Sequence, residues 1–230
     1  LNINKKNMKV LDIGSGWGGM ALQIAKDTGA YVTGITLSKN QLETSRKRAK
    51  NNNLNSLVNF ELEDYRNINE KFDRIISIGM FEHVGAQQYD VFFKKIKEIL
   101  TDDGVMILHS IGQKYKPQET NSWIRKYIFP GGYIPSLSEV LSATEKEGLW
   151  VNDLEILRLH YAETLKHWHK NFNNNREKIS QILSEKFCRM WEFYLLLSEY
   201  SFRNMGNFVF QMQISKNLGS LPFTRNYIYN

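Results

Sequence analysis

The sequence predicts an α/β fold with a Rossmann-like, mostly parallel sheet of seven strands and an added helical region. Over the first 112 residues, short apolar runs alternate with helical patterns. A glycine-rich turn joins the first run to the first helix, and an alternating segment at 207–215 supplies a last strand. Strands that are separated by helices pair in parallel through right-handed crossovers, so these observations together favour this class.

The first half of the chain supplies five strands and three helices. Ser38 is a good N-cap for the second helix because its hydroxyl can accept a backbone hydrogen bond. An Asp-Asp-Gly turn at 102–104 is expected before the fifth strand. The predicted strands cover residues 8–14, 31–36, 58–64, 72–79 and 105–112, and the predicted helices cover 18–28, 38–53 and 89–100.

The second half of the chain is more irregular. Residues 113–135 contain aromatics, two prolines and a Gly-Gly pair, and predict a loop-rich insertion. Asparagines at 173–175 are expected to separate two helices. The further predicted elements are a helix at 136–148, a strand at 151–159, a helix at 161–172, a long helix at 177–204 and the strand at 207–215. An apolar stripe along the long helix comprises Ile179, Ile182, Leu183, Phe187, Met190, Trp191, Tyr194 and Leu195, with Ser198 and Phe202 continuing it.

Composition limits the class of protein. Hydrophobic residues make up 42% of the chain, which allows a sizeable core. The single cysteine, Cys188, excludes an intramolecular disulfide framework and fits a reducing cytoplasm. No secretory signal is recognised, and no apolar run approaches the roughly 18–20 residues that span a bilayer. A buried-looking strand begins soon after Leu1, so we expect that natural sequence precedes it.

The formal net charge of +6 favours phosphate-rich partners, either nucleic acid or an anionic membrane, but a solvated basic surface explains it equally well. The basic residues are dispersed and do not form the run typical of a nucleic-acid arm. We therefore predict no nucleic-acid partner.

The glycine-rich turn VLDIGSGWGG at 10–19 predicts a cofactor site. Glycines at 14, 16 and 19 fit the G-x-G-x-x-G spacing, which lets a backbone approach a ligand at a helix N-terminus. Nicotinamide enzymes share this spacing, but no Asp or Glu ends the second strand, and Asp12 lies where S-adenosylmethionine (SAM)-dependent methyltransferases carry an acid. We predict SAM contacts from the loop, from the strand-two end and its following helix, and from the strand-three end, at Asp12, Gly14, Ser15, Gly16, Gly18, Thr36, Leu37, Gln41, Asp64 and Tyr65.

The two strand ends differ in what they offer. Hydroxyl and amide groups in ITLSKNQ at 35–41 can serve a ribose. Asp64 can accept from an adenine amino group and Tyr65 can stack on the ring, although an ordinary solvated turn remains an alternative at this position.

Three further residues carry possible chemistry. Glu82 follows strand four, at the sheet edge where open α/β folds bind ligands, as a candidate acid/base or anion-positioning group. His109 lies in strand five and Tyr161 opens a helix. Each residue also has an ordinary structural explanation. Glu82 could be a surface carboxylate, His109 a histidine of the core, and Tyr161 a tyrosine on the hydrophobic face of its helix. The histidines at 160, 167 and 169 lack the ligand pattern of a metal site, and no nucleophile elbow appears.

Taken together, these segments resemble the cyclopropane-fatty-acyl-phospholipid synthase family, which includes the mycolic acid cyclopropane synthases. The resemblance covers nearly the whole chain and implies one Rossmann-like class I methyltransferase domain at 1–230, with acceptor-binding elaborations at 113–135 and 160–205. Its most specific carriers are FEHVG at 81–85 and IFPGG at 128–132. The others are LDIGSGWGG at 11–19, TLSKNQ at 36–41, LHSIG at 108–112 and HYAETL at 160–165.

The resemblance implies methylation of a cis double bond in an unsaturated phospholipid acyl chain, with ring closure to a cyclopropane. The family uses SAM and a bound bicarbonate as the base. By position, Glu82, His109, Tyr161 and the backbone of Ile111 would hold that anion. Aromatic faces could stabilise the cationic intermediate, with candidates at Phe129, Tyr133, Trp168, Trp191 and Tyr194. A cytoplasmic enzyme, peripheral to the inner face of an anionic membrane, is implied, and a homodimer is left open.

The sequence departs from the family in three places. The family's upstream segment, which lids the site, is absent before Leu1. Many members carry a cysteine on the long C-terminal helix where Ser198 stands here, and a serine cannot supply a thiolate. Ser15 likewise replaces a common cysteine in the glycine loop. Two alternatives therefore stay open: methyl-branch formation without ring closure, and a non-catalytic SAM- or lipid-binding protein.

Overall fold

The computed structural model, which describes residues 1–229, contains a sheet of seven strands in the order β3-β2-β1-β4-β5-β7-β6. Strands β1 to β5 pair in parallel, whereas β7 is antiparallel to both β5 and β6. The predicted seven-stranded, mostly parallel sheet is therefore confirmed. Its strands are β1 (Lys9–Ile13), β2 (Tyr31–Thr36), β3 (Val58–Leu62), β4 (Phe72–Ile78), β5 (Leu100–Gln113), β6 (Trp150–Ile156) and β7 (Asn207–Ser215).

Helices cover both faces of the sheet. One buried cluster joins the first two helices to the sheet, a second joins the third and fifth, and a third joins the sixth and eighth. Residues 1–229 contain α1 (Gly19–Thr28), α2 (Lys39–Asn51), α3 (Tyr89–Ile99), α4 (Ser122–Tyr127), α5 (Leu137–Lys146), α6 (His160–Asn174), α7 (Arg176–Ile182) and α8 (Glu185–Asn204).

The strand order reverses next to β1, whose neighbours are β2 on one side and β4 on the other. Crossovers leave in opposite directions from this point, so a crevice opens at the carboxyl ends of the strands. The glycine loop, the end of β2 and the turn after β4 all lie at this edge. The topology thus gathers most of the predicted site residues before any side chain is considered.

Strand β7 links the sheet to the helices of the second half. Its residue Val209 belongs to the same buried cluster as Leu165 of α6 and Leu195 of α8. Ile111 of β5, the register partner of Val209, packs against that cluster. The helical layer is therefore anchored on β5 and β7, directly beside the edge of the crevice.

The predicted long helix at 177–204 is wrong, because two helices occupy it. Ser184 interrupts it with an extended backbone, and its hydroxyl accepts from the Phe187 N–H at 3.1 Å as the N-cap of α8. Ile182 and Leu183, expected in the buried stripe, are 70% and 58% exposed. Apolar spacing continues across the break, so periodicity alone could not locate it.

The predicted turn at 102–104 lies inside β5 as a bulge, because Phe72 pairs with Leu100 and Arg74 pairs with Val105, which leaves residues 101–104 without partners on β4. Strand β5 begins at Leu100 and runs through these residues, with a register irregularity opposite Phe72 and Arg74. A Cβ on Gly104 would lie 2.5 Å from the Leu100 Cγ, so glycine permits the chain to double back closely there. The loop-rich insertion at 113–135 contains the short helix α4.

Residues 1–229 contain neither a membrane-spanning helix nor a cluster of metal-binding side chains. No helix there combines the length and apolar character needed to cross a membrane. No group of three or more His, Cys, Asp or Glu side chains in this part of the chain is arranged to hold a metal ion.

Candidate active site

The glycine loop between β1 and α1 is held against β2. The N–H groups of Gly14 and Ser15 both donate to the Ile35 carbonyl, at 3.0 and 2.9 Å. Gly18 is the N-cap of α1 with φ +79°, and a Cβ there would lie 2.6 Å from the Phe60 ring. These glycines are required by the close approach of loop and sheet, and the contact fixes the direction of α1.

Gly16 differs from its neighbours in this loop. It has φ +55°, yet a Cβ built on it would meet no atom within 4 Å. Packing therefore does not explain glycine here, although the left-handed backbone favours it. The open side of the loop leaves room for a ligand to approach the backbone beside the N-terminus of α1.

Asp12 is the penultimate residue of β1 and carries a buried carboxyl group, only 3% exposed. Its Oδ2 atom has no hydrogen-bond partner among the described residues. Burial raises the pKa of Asp12 to about 7, against a smaller opposing effect from a hydrogen bond with the Ala21 backbone. A buried carboxyl oxygen without a protein partner, next to an open glycine loop, fits a group that receives a ligand donor.

The end of β2 presents an amide. The Thr36 hydroxyl donates to Gln41 Oε1 at 2.7 Å and accepts from the Ser38 N–H at 3.1 Å. This pairing uses the carbonyl end of the Gln41 amide and turns its NH₂ group away from Thr36. Leu37 between them is 74% exposed. The site thus offers an amide donor and an exposed apolar side chain where a ribose was predicted.

Asp64 and Tyr65 follow β3, as expected, but both already have protein partners. Asp64 accepts from the Arg66 backbone N–H at 2.9 Å and from its guanidinium at 2.6 Å, and this pairing lowers the pKa of Asp64. Tyr65 packs edge-on against Phe92, with ring centroids 5.3 Å apart. The adenine contacts of this pair remain a prediction.

Glu82 lies in a 3-10 turn just after β4, at the crevice edge. Its Oε1 atom accepts from the Ile111 backbone N–H at 2.7 Å, and its Oε2 atom is buried without a partner among the described residues. Burial raises the pKa of Glu82 above its ordinary value. The Ile111 N–H is thus bonded to Glu82, and contact of the Ile111 backbone with an anion remains a prediction.

His109 lies two residues before Ile111 on β5, so its side chain is on the same face of the sheet. Its Nδ1 atom is 3.1 Å from Nε2 of Gln211 on β7. Burial lowers the pKa of His109, which keeps the imidazole neutral near neutral pH. The ring is therefore available as a neutral donor or acceptor on β5, two residues from the Ile111 N–H that holds Glu82.

Tyr161 opens α6 on the opposite wall. Its ring contacts Phe202 and Trp168, with centroid separations of 5.0 and 5.9 Å. Burial raises the pKa of Tyr161 to about 12, with smaller contributions from Tyr194 and from the negative charge of Glu82. The phenol therefore stays protonated and can donate a hydrogen bond towards the region of Glu82.

Ser198 lies on α8, one helical turn beyond the buried Tyr194. It is partly buried, in agreement with the inward direction that the apolar stripe suggests. Its catalytic role remains a prediction. Two residues were not anticipated: Gln211, which lies on the face of β7 opposite Phe208, Phe210 and Met212, and Arg66, which pairs with Asp64.

A comparison with protein families matches residues 1–212 to the mycolic acid cyclopropane synthetase family. The chain is 36% identical to a cyclopropane-fatty-acyl-phospholipid synthase of Escherichia coli K12, over 93% of this chain and 55% of that protein. It is also 36% identical to a probable fatty acid methyltransferase of Pseudomonas putida, over 96% of this chain and 59% of that one. The chain thus spans little more than half the length of these curated relatives.

A solved structure has the same architecture. The mycolic acid cyclopropane synthase CmaA1, complexed with SAH and CTAB, superimposes with a TM-score of 0.85 and is 30% identical. The match covers 91% of this chain and 78% of that one. Because the match covers 91% of this chain, the two structures agree in the sheet and in the added helices.

Proposed function

Because the chain belongs to the mycolic acid cyclopropane synthetase family, we propose that it is the catalytic part of a SAM-dependent lipid-modifying enzyme. Its reaction is transfer of a methyl group to a cis double bond of an unsaturated phospholipid acyl chain, followed by closure to a cyclopropane. One observation carries the proposal. The buried Glu82 carboxyl has an Oε2 atom without a partner among residues 1–229, it is held by the Ile111 N–H two residues from His109 on β5, and its charge acts on the Tyr161 phenol.

The loop side of the crevice fits SAM. Gly16 leaves its backbone open, Asp12 offers a partnerless carboxyl oxygen, and Gln41 offers an amide donor. The related CmaA1 structure holds SAH, the demethylated form of this cofactor. When bound, SAM supplies an electrophilic methyl group. The chain contributes by holding the cofactor at the strand ends, so that its methyl group can face the acceptor layer.

The polar group around Glu82 fits bicarbonate. This small anion carries an O–H that can donate to Glu82 Oε2, and its oxygens can accept from imidazole and phenol groups. Bicarbonate supplies a base for the proton that is lost on ring closure. Glu82 would orient the ion, His109 and Tyr161 would donate to it, and the Ile111 N–H would hold Glu82 in place.

Aromatic rings surround the adjoining space. Tyr194 contacts Phe129 and Trp191 with centroid separations of 5.9 and 5.1 Å, and Tyr161 contacts Trp168. Transfer of a methyl cation to an alkene leaves a positive charge on the acyl chain, and aromatic faces stabilise such a charge.

Formation of a methyl branch is the second candidate. The P. putida relative is named as a probable fatty acid methyltransferase, so ring closure is not implied by the fold. Both reactions share methyl transfer and the same cation, and the placement of the base decides which product forms. A non-catalytic SAM- or lipid-binding role is less favoured, because it gives no reason for the polar group at Glu82.

The phospholipid substrate requires access to a membrane, and one surface suits it. The solvent side of α8 carries Phe193, Leu196 and Tyr200, which are 51%, 46% and 57% exposed. Phe193 packs on Trp123 of α4, with ring centroids 4.9 Å apart. We call this the apolar α8 surface and propose that it contacts the bilayer.

Basic side chains lie on the same helix stripe, as an anionic lipid surface requires. Lys186 and Arg189 precede Phe193 at helical spacing and are exposed. Neither forms an ion pair with an acidic side chain among residues 1–229.

Glu82→Gln tests the catalytic proposal. We expect cyclopropane product to fall at least about a hundredfold, because an amide cannot reproduce the carboxylate acceptor, while SAM affinity is retained. Mass spectrometry of phospholipids from cells that express the full chain measures product, and calorimetry measures SAM binding. Glu145→Gln, an exposed change on α5, is the matched control.

The outcomes separate the candidates. Gain of CH₂ with loss of the double bond indicates a ring, whereas gain of CH₂ with a double bond retained indicates a methyl branch formed by loss of a different proton. Full activity of Glu82→Gln would overturn the role of this carboxyl. Absence of SAM binding in the wild-type protein would favour the non-catalytic reading.

A further inference from the structure

Gln211 and His109 are direct neighbours across the β5–β7 pairing. The register aligns His109 with Gln211, so both side chains emerge on the same face of the sheet. Gln211 Nε2 lies 3.1 Å from His109 Nδ1, within hydrogen-bond distance. The two residues are 102 positions apart in the chain. Strand order alone brings them together.

The chemistry of the pair is directional. An amide NH₂ group has hydrogens but no acceptor lone pair, so it can only donate to Nδ1. Nδ1 must then carry the ring's lone pair, and the proton of a neutral imidazole resides on Nε2. Burial favours the neutral ring. Among residues 1–229, the His109 side chain has no hydrogen-bond partner other than Gln211.

We propose that Gln211 is a positioning residue that holds His109 in the Nε2–H tautomer, with that N–H directed at the anion site beside Glu82. This inference rests on the proposed function. It adds to it a reason why a neutral histidine can serve as a donor. In the opposite tautomer a lone pair would face the anion and repel it.

The neighbouring groups fit this assignment. Glu82 lies beside Ile111, two residues along β5, and Tyr161 faces the site from α6. Glu155 of β6, exposed, is the register partner of Gln211 on its far side. A carboxylate in place of Gln211 would accept from Nδ1–H and favour the imidazolium. A neutral amide avoids that outcome.

The same strand provides a matched control. Gln213 lies two residues further on the same face of β7, and its Oε1 accepts from the Tyr227 hydroxyl at 2.7 Å. Gln213→Leu therefore removes a side-chain amide from β7 without removing the contact to His109.

The test is ¹⁵N-histidine NMR on the full chain, with His109 assigned from the signal that His109→Asn removes. We expect the wild type and Gln213→Leu to show the Nε2–H tautomer at His109. Gln211→Leu should show a mixture of tautomers, with product formation about tenfold or more lower and SAM affinity unchanged. Gln211→Glu should raise the pH at which His109 titrates and move the pH profile of activity with it.

Two results overturn the proposal: an Nδ1–H tautomer in the wild type, or an unchanged tautomer in Gln211→Leu that circular dichroism shows to be folded. If Gln211→Leu does not fold, Gln211→Asn, whose shorter side chain cannot reach Nδ1, gives the same comparison. The tautomer is read without substrate. Failure of the cyclopropane reaction would therefore leave this measurement decisive by itself.

Discussion

At the residue scale, the charged form of Asp12 opposes folding. Its carboxyl group is buried, and burial raises its pKa to about 7 from an ordinary 3.8. The folded state therefore binds a proton that the unfolded state has already released over this pH interval. The protonated group therefore makes its full contribution to the free energy of unfolding below about pH 4, and this contribution is lost as the pH rises through about 7.

We predict that Asp12→Asn stabilises the cofactor-free protein at pH 8. The shift of about three pKa units corresponds to roughly 4 kcal/mol at most, because an amide is neutral at every pH. Urea unfolding at pH 4 and pH 8 measures the difference between variant and wild type. Asp27→Asn, an exposed change on α1, should alter neither value, and a wild type to variant difference independent of pH would contradict the prediction. SAM affinity of Asp12→Asn should fall.

Some residues of the site could be recognised from sequence and others could not. Asp12, Glu82 and the glycine loop stand in motifs whose local spacing predicts a place at a strand end. Gln211 stands in no motif, and only the pairing of β7 with β5 gives it a partner. Arg66 is similar, since its ion pair with Asp64 depends on a turn that the sequence does not specify.

At the scale of elements, the turn between β1 and α1 separates two uses of glycine. Gly18 is required by packing, since a Cβ would lie 2.6 Å from Phe60 and 2.8 Å from Ser45. Gly16 has open space on the side where a Cβ would stand. One glycine supports the fold, and the other leaves room for the ligand.

We predict that alanine at these two positions divides its effect differently between stability and cofactor binding. Gly18→Ala should lower the free energy of unfolding by about 2–4 kcal/mol, from backbone strain and overpacking together. Gly16→Ala should lower it by about 1 kcal/mol, through its positive φ alone, and weaken SAM binding more strongly. Chemical denaturation and calorimetry measure the two quantities. Equal losses of stability in both variants would count against this division.

The break between α7 and α8 is held by contacts between the two helices. Arg176 at the start of α7 pairs with Glu185 and Glu192 of α8, at 2.7 and 2.8 Å. These contacts fold α7 back on α8, and Ser184 caps the new helix. The apolar period of 177–204 is typical of one continuous helix, so a local capping residue and distant ion pairs decided the outcome.

At the scale of the whole molecule, the apolar α8 surface distinguishes one side of the protein from the others. The crevice lies at one edge of the sheet, and the helical layer above β5 and β7 carries Phe193, Leu196 and Tyr200 outward. Such a layout would let the acyl chain pass from a bilayer into the aromatic region around Tyr194 without crossing water.

We predict that Lys186→Ala with Arg189→Ala weakens binding to phosphatidylglycerol vesicles by about 2 kcal/mol, roughly thirtyfold, because each basic residue near an anionic surface contributes about 1 kcal/mol. Phe193→Asp should weaken binding to phosphatidylglycerol vesicles further, and it should also weaken binding to vesicles of mixed lipid composition. Leu218→Asp, at another exposed leucine, is the control. Vesicle sedimentation measures binding, and light scattering measures association. Unchanged sedimentation contradicts the membrane proposal, and a change of oligomeric state assigns the surface to a second copy.

The sequence by itself determined the sheet and its class, the cofactor loop, the turn that carries Glu82 and the family. Apolar periodicity, glycine conformation and capping act between near neighbours, so a linear reading detects them. Only the tertiary structure decided that the Ile111 N–H bonds Glu82, that Gln211 reaches His109 and that α7 ends before α8. Those contacts depend on strand order and on side chains far apart in the chain, whose proximity no local pattern records.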